Sequence, residues 1–255
     1  MSSWALVTGA TAGIGESFSR LLASHKYNIV LVARDMPRLE ERAHGLEQKF
    51  GVKTHVLQAD LATDEGCALI EKFIEENHID VLINNAGFGT NKSFTISDLH
   101  TEQQLLDVLV RTPMRLMHRV LPQMKERNSG VIINVSSVAG YIAGGSYSAS
   151  KSYLTVLSES LNTELSSTNI KVSALCPGFT RTEFHQRGRM SMKALPNFMW
   201  LDADRLVEQS WRDALKGDAV SIPGWQYKLL YFLVQSVPRS IVRKVGMNLR
   251  AKQRR

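Results

Sequence analysis

A chain of 255 residues with 44% hydrophobic content is long enough for one large α/β domain with a sizeable core. Its two cysteines, Cys67 and Cys176, lie far apart without a C-x-x-C pairing, and its histidines show no metal-ligand spacing, which speaks against a disulfide framework and a structural zinc. The formal net charge is +7, but seven of the 31 basic residues fall in the acid-free stretch 239–255; the other 24 balance 24 acids, so the excess is a tail property rather than a nucleic-acid-binding face.

The first predicted strand covers residues 5–8, so close to the start that no signal peptide is expected before it. A helical pattern over 13–26 leads to a strand at 29–33. A helix over 36–50 precedes a strand at 55–59, and one over 64–77 precedes a strand at 81–84. A long helix over 99–127 leads to a strand at 131–136, a helix over 147–166 to a strand at 172–176, and a helix over 203–216 to a strand at 219–222. The apolar run 229–234 is far too short to span a bilayer. Short β-branched runs alternating with amphipathic stretches predict an α/β fold with a mostly parallel sheet. Right-handed crossovers make it a Rossmann-type doubly wound sheet with helices on both faces. With no repeat or linker in sight, one domain over 1–238 and a basic tail over 239–255 is the economical organisation.

In such sheets ligands sit outside the carboxyl ends of the strands. Six polar or Gly-rich segments fall at those ends. Gly9, Gly13 and Gly15 after the first strand allow a tight turn and close approach to a pyrophosphate at a helix N-terminus, although Gly-rich turns also arise for packing. Arg34 after the second strand offers a planar fork for a 2′-phosphate where an NAD site would place an acid, which favours NADP; a plain surface arginine is the alternative, with Asp35 beside it. Asp60 after the third strand is placed to accept from an adenine amino group, or to serve as an N-cap or turn residue. Asn84 and Asn85 after the fourth strand either order the backbone near the adenosine ribose or satisfy structural hydrogen bonds. Ser136 and Ser137 follow the fifth strand and Pro177 and Gly178 the sixth.

Tyr147 and Lys151 stand four residues apart, on one helix face. An ammonium beside a phenol favours the phenolate, so the tyrosine's pKa is expected to fall from its ordinary value of about 10. A phenol so tuned can exchange a proton with an alcohol or carbonyl oxygen near neutral pH.

In their order, Thr8-Gly9-x-x-x-Gly13-Ile14-Gly15, Asn84-Asn85-Ala86-Gly87, Ser137, Tyr147-x-x-x-Lys151 and Pro177-Gly178 resemble the short-chain dehydrogenase/reductase family over roughly residues 4–182. The resemblance implies an NAD(P)-dependent oxidoreductase that moves a hydride between nicotinamide and a carbonyl/alcohol pair. It makes Tyr147 the acid/base and a cofactor contact, Lys151 its pKa-lowering partner and a ligand of the nicotinamide ribose, and Ser137 the group that orients the substrate oxygen, with Ser136 as second candidate. Thr182 would hold the nicotinamide carboxamide. Thr11, Ile14, Leu61, Asn85, Ala86 and Gly87 join the glycines, Arg34, Asp60, Pro177 and Gly178 in lining the cofactor, with no metal. The family's oligomers predict a homodimer or homotetramer through the helices near 99–127 and 147–166.

Two departures stand out. The family's usual helix asparagine, which supports a water in the proton relay, falls on Leu109, which cannot hydrogen-bond. The Ser137–Tyr147 interval is short, with Gly140, Gly144 and Gly145 inside it. The stretch 183–200, with His185, Arg187, Arg189, Met190, Met192, Phe198, Met199 and Trp200, is expected to form a lid whose apolar members line a lipophilic pocket or pack on the core. A cytoplasmic protein is expected, with peripheral membrane contact through the C-terminal segment as an added possibility. The alternative to an enzyme is a non-catalytic NADP-binding regulator or scaffold on the same fold.

Overall fold

The computed structural model describes residues 3–90, 92–184 and 195–243. Seven strands form one sheet: β1 (Trp4–Thr8), β2 (Asn28–Ala33), β3 (Thr54–Gln58), β4 (Val81–Asn84), β5 (Gly130–Val135), β6 (Ile170–Leu175) and β7 (Val220–Ser221). Every pairing is parallel and the spatial order is β3-β2-β1-β4-β5-β6-β7. All seven predicted strands are present, displaced by a residue or two at their ends.

Alternate residues of the central strands serve opposite layers. Ala5 and Val7 face one core cluster and Leu6 the other; Ile29 and Leu31 oppose Val30 and Val32 in the same way. A strand buried on both faces must be apolar throughout, which is why these runs read as continuous hydrophobic stretches. On the first face pack α1 (Gly13–Ser24), α2 (Met36–Phe50) and, after β6, α7 (Ala203–Lys216) through Phe18, Leu22, Leu39, Leu206 and Trp211. On the second face pack α3 (Asp64–Glu76), α5 (Thr112–Glu126) and α6 (Ser146–Glu164) through Ile70, Ile74, Leu116, Val120 and Leu154. Burial of each such side chain contributes about 1.5–3 kcal/mol.

The expected continuous helix over 99–127 is interrupted. α4 (Leu99–Leu106) runs into a π-turn, Asp107–Arg111, before α5 begins. Pro113 supplies the reason: it has no N–H for the Leu109 carbonyl and its ring crowds that carbonyl, so the chain widens by one residue there. A further helix, α8 (Trp225–Ser236), closes the described fold and was not among the predicted helices. The sheet order reverses between β1 and β4, and the crevice outside that reversal is where a dinucleotide binds in this architecture.

Candidate active site

The Gly-rich turn is held open from below. Asn85 donates through Nδ2 to the carbonyls of Thr8 (2.9 Å) and Gly9 (3.2 Å). The Thr8 hydroxyl accepts from the amides of Asn85 (2.9 Å) and Ala86 (3.1 Å). Asn85 therefore clamps the β4 loop to the β1 turn across the switch point, the structural alternative for this residue. Asn84 donates to Asn134 Oδ1 at 2.9 Å, and Asn134 donates in turn to Ser158 (2.8 Å), a buried amide chain joining β4, β5 and α6.

Gly9 and Gly13 have φ of +65° and +58°, which glycine alone adopts without strain. A Cβ on Gly13 would lie 2.9 Å from Thr182 Cβ, so the segment after β6 closes over the turn here. On Gly15 a Cβ would overlap the Gly9 carbonyl. The N-cap of α1 is Ala12, which offers no side-chain acceptor, whereas Asp35, Thr63, Asp98 and Asp202 cap α2, α3, α4 and α7. A side-chain-free cradle at an uncapped helix N-terminus fits the pyrophosphate of a dinucleotide.

Arg34 follows β2 with its side chain 76% exposed and its Nη1 3.9 Å from Asp60 Oδ2. Asp60 accepts from the Ala62 amide (3.0 Å) through its other oxygen, making a local turn, while Thr63 performs the cap of α3. Leu61 points into the second core cluster, and its carbonyl accepts from Thr112 (2.7 Å). The Thr11 carbonyl accepts from Arg42 at 3.5 Å, and Ile14 packs on the first core cluster.

Lys151 is pinned to the end of β5. Its Nζ donates to the Val135 carbonyl at 2.6 Å, and its own carbonyl accepts from Ser136 Oγ at 2.7 Å. Ser136 is buried and also bonds Thr155 (2.6 Å), so of the two serines it is fully engaged in the scaffold. Ser137 is half-buried; it caps a 3₁₀ turn, Val138–Tyr141, by accepting from Ala139. That turn shortens the loop to Tyr147, and it docks on α6 at Gly140, where a Cβ would meet Ser152 N at 3.0 Å.

Lys151 Nζ lies 5.8 Å from the centre of the Tyr147 ring, and the centre of the Phe184 ring lies 6.0 Å from it. Burial lowers the Lys151 ammonium from its ordinary pKa to about 8. Gly87 fits between Lys151 and Leu109: a Cβ there would lie 2.8 Å from Leu109 Cδ2 and 3.9 Å from Lys151 Nζ. Leu109 is thus buried beside the lysine, at the position where an asparagine was expected.

Pro177 accepts at its carbonyl from Val138 N (3.1 Å). Gly178 lies flat against Tyr227 of α8, where any Cβ would fall inside the phenol ring. The Tyr227 hydroxyl accepts from Phe179 N (2.9 Å) and donates to the Met199 carbonyl (2.6 Å), tying those two backbone positions to α8. Burial pushes its pKa up to about 12, so it stays a neutral donor. Sequence reasoning missed Tyr227, because its role depends on a glycine far away in the chain. Gly178→Ala is expected to cost about 1–3 kcal/mol through overpacking, read as a lower urea midpoint; an unchanged midpoint would contradict this contact.

The Phe179 and Trp200 rings lie 6.2 Å apart and tilted to each other, Arg181 covers Trp200, and Arg38 of α2 pairs with Glu183 at 3.1 Å. The lid residues His185, Arg187, Arg189, Met190 and Met192 lie outside the described residues, as does the tail from 244 onward. Among the described residues no group of three or more His, Cys, Asp or Glu could hold a metal. No described helix is long and apolar enough to cross a membrane.

A doubly wound sheet with this glycine cradle and a Tyr-x-x-x-Lys helix defines a nucleotide-dependent oxidoreductase scaffold. Residues 3–192 match the model of the short chain dehydrogenase family, and the chain belongs to the short-chain dehydrogenases/reductases. It is 33% identical over 190 residues to the very-long-chain 3-oxoacyl-CoA reductase of Rattus norvegicus, a match that covers 72% of this chain and 61% of that protein. The 17-beta-hydroxysteroid dehydrogenase type 3 of Mus musculus is 28% identical over 246 residues, covering 94% and 78% respectively. Among solved structures, a short-chain dehydrogenase from Sphingobium yanoikuyae in complex with NADPH superposes with a TM-score of 0.84 at 31% identity, over 92% of this chain and 96% of that one.

Proposed function

We propose that the protein is an NADP-dependent oxidoreductase that interconverts a lipophilic ketone and its secondary alcohol, with Tyr147 as acid/base. The observation that carries this reading is the buried lysine beside the tyrosine: Lys151 Nζ, which donates to the Val135 carbonyl, sits 5.8 Å from the centre of the phenol ring. A cation so placed steadies the phenolate left after Tyr147 gives its proton to the substrate oxygen. Ser137, the more accessible serine, orients that oxygen. The bound nicotinamide supplies the hydride chemistry; the protein positions the reactants and manages the proton.

NADP is favoured by Arg34, whose exposed fork suits a 2′-phosphate. Arg34→Ala is expected to weaken NADPH binding at least about tenfold, the scale of a lost hydrogen bond to a charged group, and to leave NADH binding within about twofold. Titration by nicotinamide fluorescence checks this, and equal losses for both nucleotides would contradict it. A lipophilic substrate is favoured by Phe184 beside Tyr147 and by the similarity to a very-long-chain 3-oxoacyl-CoA reductase and a 17-beta-hydroxysteroid dehydrogenase. A screen of 3-oxoacyl thioesters and steroid ketones with NADPH tests it directly.

Homo-oligomerisation is favoured by the outer face of α6, where Tyr153 and Val156 border a shallow depression of about 570 Å³, and by exposed Met114 on α5. A non-catalytic NADP-binding regulator is the second reading, favoured by Leu109, since the usual side-chain support for a relay water is missing. Nucleotide binding without turnover across that screen is its signature.

A further inference from the structure

The helix α8 presents two apolar faces. Its inner face carries Tyr227, which is buried, and Tyr231, which packs against Tyr141 with rings 4.7 Å apart. Its outer face carries Trp225 (71% exposed), Leu229 (52%), Phe232 (66%) and Leu233 (49%). Spaced i, i+4, i+7 and i+8, these four share one stripe. An apolar stripe of that kind on a surface helix marks an interaction site.

Charge identifies the occupant. The last acid of the chain is Asp218; residues 219–255 hold eight basic residues and no acid. Lys228 lies on α8 itself, and Arg239 and Arg243 follow it, all three exposed. An aromatic and leucine-rich face followed by an acid-free basic segment matches the interfacial region of an anionic bilayer, which takes the apolar side chains into its acyl boundary and the cations among its headgroups.

We propose that α8 and the basic segment after it dock the protein on an anionic lipid surface. The inner face gives the docking a consequence. Tyr227 of the same helix bonds Phe179 N and the Met199 carbonyl, and Phe179 stands five residues before Phe184, which packs 6.0 Å from Tyr147, so a docked α8 holds the chain leading to the active site close to the lipid. A lipophilic substrate dissolved in the membrane then has a shorter path through water to Tyr147. This consequence rests on the proposed substrate class; the docking does not.

The test is co-sedimentation of the full chain with sucrose-loaded vesicles, of phosphatidylcholine alone and of phosphatidylcholine with about 30% phosphatidylserine. Binding to the anionic vesicles only is expected, weakened by salt. Phe232→Glu and Leu229→Glu should each reduce it at least about tenfold, and Arg239→Glu with Arg243→Glu about fivefold per charge removed. The four positions are exposed, so melting temperature and NADPH affinity should not move, and those readouts keep a failure of docking separate from a failure of the enzymatic reading. Trp225 fluorescence should shift to the blue on vesicle addition and not in its Trp225→Phe variant. Absence of sedimentation overturns the proposal, as does sedimentation that ignores Phe232→Glu, since charge alone would then carry it. Conversion of a dimer to a monomer by Phe232→Glu, seen by light scattering, overturns it too, because the stripe would then face a second copy.

Discussion

Tyr147→Phe is expected to lower turnover by about a thousandfold while NADPH binds as it does to the wild type. The substitution removes one oxygen and keeps the ring. That ring packs 6.0 Å from Phe184 and 5.8 Å from the Lys151 nitrogen, contacts a phenylalanine reproduces, so the site keeps its shape. The cofactor cradle is built elsewhere, from Gly9, Gly13, Gly15 and the Asn85 clamp, and the change does not reach it. Only the proton is lost: a carbonyl that accepts hydride must gain a proton at its oxygen, and the phenylalanine ring has none to give. Stopped-flow or steady-state loss of NADPH absorbance, with binding measured in parallel, separates the two effects. A variant that keeps its rate within about tenfold would place the acid on another residue, and one that loses nucleotide affinity would place Tyr147 in binding rather than proton transfer.

Much of the scaffold was legible in the chain because its signals are local. A strand buried on both faces needs an unbroken apolar run, and such runs marked the central strands, whereas the edge strands β3 and β7 are partly exposed. The segments expected at one sheet edge lie there because parallel strands put every carboxyl end on the same side, which brought Gly13 against Thr182 and Asn85 against Gly9 from sites far apart in sequence. What the sequence hid is relational. α8 has an apolar face on both sides, so it lacks the polar stripe by which an amphipathic helix is recognised, and only the short run 229–234 stood out. Tyr227 gains its role only once Gly178 lies under its ring. The π-turn follows from Pro113, a residue whose effect on the Leu109 carbonyl is readable in principle, but only once the helix around it is placed. Asn85 offered two readings, and the pairing of β1 with β4 decides that its amide is spent on the Gly-rich turn.

Lys151→Met is expected to change both catalysis and the way stability depends on pH. Burial holds the folded-state ammonium at about 8, against an ordinary value of 10.5 in the unfolded chain. Below pH 8 both states carry the proton, and the folded protein bears the cost of a buried charge. Between about 8 and 10.5 the folded lysine has released its proton and the unfolded one has not, so the unfolded state binds more protons and stability rises with pH. A shift of that size corresponds to a gain of up to about 3 kcal/mol across the window. Cys176, Tyr141 and Tyr227, raised by burial, act in the opposite direction at high pH, so the quantity to measure is the difference between wild type and Lys151→Met in urea unfolding of the nucleotide-free protein. That difference should change in favour of wild type as the pH rises through the window; parallel curves would mean that the lysine is not depressed. The same proton governs turnover. In the reductive direction the rate should fall as the pH passes through about 8, since a neutral amine no longer steadies the phenolate that Tyr147 becomes. Methionine fills the same buried channel beside Leu109 and Gly87 without the charge, so its rate should already be low and that limb of the profile absent. A low rate with the limb retained would assign the titration to another group and leave Lys151 a packing role.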